Sequence, residues 1–209
     1  MKRLNVMITD TSAISWEDVP KAAIDSYVWG GADRAPKACG QLVYAATGGP
    51  DEGFYVHLKS DESNPVSVTT EHNGPVWEDS CLEIFFTLRG KSASENGYIN
   101  IECNSNGVTL IAYGRDRHER RFIVDMGIPP FPVKLVKSSD GWEVFEFVPL
   151  DAVKKIFGVD AVDETCVMAG NFYKCDENAG APFGSWSPVD THSPDFHRPE
   201  FFGSLVLTK

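Results

Sequence analysis

The sequence predicts an all-β protein, a jelly-roll-like β-sandwich of two antiparallel sheets with one short helix. Three observations predict it. About ten or eleven short runs alternate apolar and polar residues at period two, at intervals of roughly 10–15 residues. Glycine, proline, asparagine, aspartate and serine cluster between the runs, where chains turn. Only residues 151–157 (DAVKKIF) carry helix signals: an acidic start, late lysines and Gly158 just beyond the end. Short strands at this spacing pack as sandwiches or barrels. No internal repeat and no shift of composition divides the 209 residues, so residues 1–209 read as one domain. With 42% hydrophobic residues, that length builds a core without a disulfide or metal staple.

Taken in order, residues 1–20 read as an irregular segment containing Trp16 and Pro20. Residues 22–29 read as a strand leading to a turn at Gly30. Residues 39–46 (CGQLVYAA) form a strand ended by Gly48-Gly49-Pro50. In residues 53–59 (GFYVHLK), Phe54, Val56 and Leu58 point inward and Tyr55, His57 and Lys59 outward. Residues 66–73 (VSVTTEHN), bracketed by Pro65 and Pro75, read as a further extended piece. Residues 107–113 (GVTLIAY) are a strand, followed by GRDRHERR, a solvated turn whose arginines pair with Asp116 and Glu119. The three prolines in residues 128–132 (IPPFP) lack the donor that a helix or central strand needs. Residues 133–137 and 142–149 read as a hairpin around Ser139-Asp140-Gly141, with Trp142 in the core. A strand within residues 165–175, a long polar and aromatic loop over 176–200 and a last strand over 201–208 complete the chain.

The chain is organised around residues 76–104. One strand there puts Leu82, Ile84, Phe86 and Leu88 on one face and Cys81, Glu83, Phe85 and Thr87 on the other. A second puts Ile99, Ile101 and Cys103 on one face and Tyr98, Asn100, Glu102 and Asn104 on the other. The loop between them holds Gly90, Ser92, Ser94, Asn96 and Gly97, which are hairpin residues. If the two strands pair, Glu83 joins a polar ladder of Asn100, Glu102 and Asn104, with Trp77 at its mouth. Such a ladder beside an indole has the chemistry of a sugar site.

Net charge is −11 with a pI near 4.8, which opposes nucleic-acid binding and docking on anionic membranes. No run approaches the roughly 18 apolar residues of a membrane span. The start, MKRLNVMITD, is too broken by Asn5 and Asp10 for a signal-peptide core. The five cysteines, Cys39, Cys81, Cys103, Cys166 and Cys175, form no CxxC pair and read as free thiols, four of them in strand-like runs. Both features lean toward a reducing, cytoplasmic compartment, unless a leader has been removed.

VWEDSCLEIFF, YINIECNSNG, YGRDR, GNFYKCDE, SWSPV and SPDFHRPEFFGSLVL occur here in order. Together they resemble the family 9 carbohydrate-binding modules, most of all the stand-alone family 9-like proteins of gut-type bacteria, some described as endoxylanases. The resemblance runs from residue 22 to residue 207. It implies a distorted β-sandwich that clamps a sugar between two tryptophans. It implies that Trp77 is the first tryptophan, Glu83 the acidic contact and Trp186 the second tryptophan. It also implies further contacts from Asn100, Glu102 and Asn104. Family modules usually sit beside a catalytic domain, and 209 residues leave no room for one here.

A sugar face stacked on an indole removes roughly 100 Å² of apolar surface from water, worth roughly 2–3 kcal/mol. Carboxylates and amides then orient the hydroxyls. The expected ligand is a mono-, oligo- or polysaccharide bound without catalysis. Arg117, which follows the strand beside the ladder, is a further contact. Two alternatives stay open: a glycoside hydrolase using Glu83 and Glu102 as its carboxylate pair, and an interaction module with a degenerate sugar site. No cofactor is expected. Loop aspartates and carbonyls are compatible with a structural calcium ion, although no EF-hand spacing is present. His118, His192 and His197 lack ligand spacing, and His197 reads as a hydrogen-bonding histidine. Trp16 and Trp29 read as packing residues.

Overall fold

A computed structural model of the chain describes residues 1–90, 97–180 and 182–209. Of the hairpin-loop residues, Ser92, Ser94 and Asn96 lie outside the described residues. The expected all-β sandwich is present, and its two layers are halves of one curled, mixed sheet. One half holds β3 (Ala38–Ala45), β4 (Gly53–Ser60), β9 (Val133–Ser138) and β10 (Gly141–Pro149). The other holds β5 (Cys81–Arg89), β6 (Tyr98–Asn104), β7 (Thr109–Gly114), β8 (Arg120–Phe122), β11 (Val167–Cys175) and β13 (Gly203–Thr208). Within each half every pairing is antiparallel.

The join between the halves corrects the reading of residues 1–20 as irregular. Residues Arg3–Thr9 form β1, which pairs parallel with both β13 and β3. Leu4 and Val6 are buried and Arg3 and Asn5 are exposed, so the segment carries the period-two pattern in miniature. Without β1 the adjoining edges of β3 and β13 would present open donors and acceptors. The strand read over 22–29 shortens to β2 (Ala22–Ile24), paired with β3. Residues 66–73 belong to no ladder, and the chain turns at residues 71–74, where Asn73 has a φ of 62°. Asp79 accepts the amides of Val68 and Thr69, and Ser80 exchanges bonds with Val66 instead.

The main core lies between the two halves. Phe54, Val56 and Leu58 face Leu82, Ile84 and Phe86, all essentially inaccessible to water. The Phe54 and Phe86 rings lie 5.7 Å apart, in contact across the sandwich. Each such side chain contributes about 1.5–3 kcal/mol on burial. Trp142 is in this core, as its strand position predicts. The helix α1 (Leu150–Phe157) closes one end, setting Phe157 against Phe86 at 5.6 Å and Tyr113 at 5.8 Å. It stops at Gly158, whose φ of 66° suits glycine and whose N–H donates to the Lys154 carbonyl. No helix among the described residues is long and apolar enough to cross a membrane.

One inward strand position carries a carboxylate. Glu146 on β10 is buried, and neither carboxyl oxygen has a hydrogen-bond partner among the described residues. Burial alone pushes its pKa up to about 8.

A second apolar layer covers the outer face of β5, β6 and β11. It contains Phe85, Tyr98, Tyr173, Val189, Phe196 and Phe202, with Trp77, Trp29 and Phe183 packed against it. Much of it comes from the long loop after β11. Phe196 from that loop stacks on Tyr173, with ring centres 4.1 Å apart.

Candidate functional site

The loop does not cover the whole outer face. Between it and strands β5 to β8 lies a cavity of about 300 Å³. Its floor follows from strand register. Glu83 is the direct partner of Glu102 across β5 and β6, and Phe85 is the partner of Asn100. All four side chains line the cavity. Period-two alternation sends Ile84 and Ile101 to the core, so their neighbours must face the other way.

Trp77 lies in the 3-10 turn Val76–Glu78 that enters β5. Val76 is buried and anchors the turn, leaving the half-buried Trp77 on the cavity wall. The Trp77 carbonyl accepts from the Cys175 thiol at 3.4 Å, which ties the turn to β11.

The polar groups on the floor form a chain. Arg120 Nη2 donates to Asn100 Oδ1, and Asn100 Nδ2 donates to Glu102 Oε1 at 2.7 Å. Arg120 also lies over the Tyr98 ring, 4.5 Å from its centre, and donates to the Ala112 carbonyl. Tyr98, Gly114 and Arg120 lie in one row across β6, β7 and β8, and the missing side chain at Gly114 lets the backbone at Glu119 and Arg120 approach closely, since a Cβ there would sit 2.0 Å from the Glu119 carbonyl oxygen. Two atoms in this chain stay unpaired among the described residues, Glu102 Oε2 and Arg120 Nε.

Burial sets the electrostatics. It raises Glu102 to about 7, against the lowering pull of Asn100 and Arg120. Glu83 goes well above the usual carboxylate range, from burial first and then the neighbouring Cys175 and Glu102. His197, also on the cavity wall, is pushed down to about 3 by burial and by Arg120 and Arg117. It is therefore neutral at pH 7, and it shares a 2.8 Å hydrogen bond with the Tyr98 hydroxyl. This matches the structural role read for it.

Five of the seven expected site residues meet at the cavity: Trp77, Glu83, Asn100, Glu102 and Arg117. Arg117 is half exposed and pairs with Asp195 at 3.7 Å. The other two are corrections. Asn104 is fully buried and away from the cavity. Its amide donates to Thr69 O and Asp79 Oδ2, while its oxygen accepts the amides of Asn106 and Val108. It braces the turn between β6 and β7.

Trp186 is in the main core, 4% exposed, against Phe172 at 6.1 Å. The reason is parity. β12 (Gly184–Ser185) pairs Ser185 with Tyr173 and Gly184 with Lys174. Odd positions therefore share the outer side with Tyr173 and even ones the inner side with Phe172. Gly203 admits the indole, since a Cβ there would sit 2.3 Å from the Trp186 ring. The loop supplies a different aromatic, Phe183, which is half-buried and lines the cavity.

Trp29 packs against Phe183 and Phe196, and Trp16 against His57 and Phe145, as packing residues. Arg120 and Phe183 are the residues that sequence reasoning missed. No sequence signal marks Phe183, because its side is set only when β12 pairs with β11.

All five cysteines are free thiols. Cys81, Cys103 and Cys175 are buried, and Cys39 and Cys166 are half-buried.

Comparison with known proteins agrees with this architecture. Among solved structures, a candidate carbohydrate-binding protein from Bacteroides uniformis matches with a TM-score of 0.77 and 27% identity, covering 99% of each chain. A family 9 carbohydrate-binding module from Caldicellulosiruptor kristjanssonii, in complex with cellotriose, matches with a TM-score of 0.64 and 16% identity. That match covers 99% of this chain and 93% of the module. A structure of such a module from the same organism with glucose gives a TM-score of 0.64 at 17% identity, over 99% and 96% of the two chains. No curated protein matches. The model of carbohydrate-binding family 9 matches residues 9–207, nearly the whole chain, and the chain belongs to that family.

Proposed function

We propose that this protein binds a sugar in the outer-face cavity, without hydrolysing it. The observation that carries the reading is the unpaired couple on the cavity floor, Glu102 Oε2 and Arg120 Nε. A buried acceptor and a buried donor without partners are costly, about 1–3 kcal/mol each. A sugar hydroxyl both donates and accepts, so one ring edge satisfies both. Trp77 offers an indole face for the apolar C–H side of the same ring, with Phe183 on the loop side. The family, and the glucose and cellotriose complexes of its distant structural relatives, support the same reading.

Hydrolysis by Glu83 and Glu102 finds less support. The two carboxyls stand side by side on adjacent strands of one wall. A glycosidase pair flanks the scissile bond.

The test is calorimetric titration with glucose, cello-oligosaccharides and xylo-oligosaccharides, alongside a reducing-sugar assay. The expected result is binding in the micromolar to millimolar range, roughly −8 to −4 kcal/mol, with no release of reducing ends. Trp77→Ala should abolish it while the fold persists. Release of reducing ends would instead establish a hydrolase. No binding to any sugar would leave an interaction module.

A further inference from the structure

We propose that Cys81, Cys175 and Glu83 form a binding site for one soft divalent cation of the zinc class, in the wall of the cavity. Cys81 and Cys175 are direct partners across the antiparallel β5–β11 ladder. Glu83 lies two residues along β5 and therefore on the same face. One ligand atom from each of the three lies within 4.8 Å of the other two. Cys175 Sγ is 3.1 Å from Glu83 Oε1, where the thiol donates to the carboxyl. A tetrahedral zinc ion with sulfur at about 2.3 Å and oxygen at about 2.1 Å sets its ligand atoms about 3.5–3.8 Å apart. Rotamer shifts of an ångström or less bring the three atoms to that spacing.

The donor set selects the metal. Two thiolates and one carboxylate suit zinc, cobalt or cadmium, whereas calcium and magnesium take oxygen ligands. Cys175 and Glu83 line the cavity, so a fourth position opens toward it for water. A three-ligand site with one open position is the usual arrangement of an accessible zinc ion.

A second observation points the same way. Glu102, directly opposite Glu83, keeps Oε2 buried and unpaired. Four acidic groups thus crowd one buried spot. On binding, three metal–ligand bonds form and the two thiol protons and the Glu83 proton pass to solvent. No atom changes oxidation state. The site does not depend on sugar binding, and its test contains no sugar.

The test is titration of the reduced, metal-free full chain with cobalt(II). The expected result is one equivalent bound, with thiolate-to-cobalt charge-transfer absorption that zinc(II) displaces. Cys81→Ser and Cys175→Ser should each weaken binding by roughly 100-fold or more, beyond the 10–100-fold typical of outer-shell losses. A triple variant, Cys39→Ala with Cys103→Ala and Cys166→Ala, retains only the two ligand thiols and should keep the band. It also serves if the single variants fail to fold. No stoichiometric uptake overturns the proposal. So does a band that survives both single substitutions or vanishes in the folded triple variant.

Discussion

Glu83 and Glu102 face one another as direct partners across β5 and β6, and both are buried. Side chains so paired have Cβ atoms about 4.5–5.5 Å apart. Their neighbours separate their roles. Glu83 is engaged by the Cys175 thiol, whereas Glu102 uses one oxygen on Asn100 and leaves the other unpaired. Glu102→Ala should therefore reduce affinity for the best-bound oligosaccharide by roughly 10–100-fold, the 1–3 kcal/mol of a lost buried partner. Glu102→Gln, which keeps an acceptor, should lose less. Calorimetry on both variants decides it, and wild-type affinity in Glu102→Ala would remove this carboxyl from the site.

The two tryptophans matched to the family should behave oppositely. Trp77 is half-buried at the cavity rim, and Trp186 fills the core between Phe172 and Gly203. Trp186→Ala should cost about 3–5 kcal/mol of stability. Trp77→Ala should cost far less and abolish sugar binding. Urea unfolding of the two variants, read beside their calorimetry, separates the roles.

Arg120 and Arg117 both line the cavity but differ in what they hold. Arg120 positions Asn100 and covers Tyr98, while Arg117 is half exposed beside Asp195. Arg120→Ala should weaken sugar binding by about 10-fold or more and lower stability by about 1–2 kcal/mol. The ion pair that Arg117→Ala removes contributes about 0–1 kcal/mol. Thermal melts and titrations of the two variants test the contrast.

Glu146 predicts a pH dependence of stability. Its folded pKa, near 8, exceeds the ordinary 4.5 of an unfolded glutamate. The folded chain therefore holds the proton more tightly than the unfolded one. The contribution is fully present below about pH 4.5 and is lost as pH rises through about 8. At about 1.4 kcal/mol per pKa unit, the loss is on the order of several kcal/mol. Glu146→Met fills a similar volume without a charge. It should flatten the decline between pH 5 and pH 8 and raise stability at the alkaline end. Urea midpoints across that range, compared with wild type, test it. A parallel decline in both proteins would show that other groups cause it.

What the sequence determined was local periodicity. Alternation in residues 81–88 and 98–104 is enough to put Leu82, Ile84 and Ile101 in the core and Glu83, Asn100 and Glu102 on the opposite face, because a strand permits no other division. β1 was missed, because Leu4 and Val6 alone give too short an alternation to mark a strand. Its partners were not legible either, since a parallel join to β3 and β13 depends on two edges that meet only in the folded chain. Tertiary structure decided the rest of the site. Asn104 shares its strand face with Glu102 but ends the strand, where Asp79 and the turn amides take its side chain. Arg120, not Arg117, reaches Asn100, because the β7–β8 register sets it beside Gly114. In the long loop no period constrains the chain until β12 pairs with β11, and that pairing turns Trp186 inward and Phe183 toward the cavity. Side-chain direction is fixed by the strand a residue joins, and a loop residue acquires that direction only when its partner strand is in place.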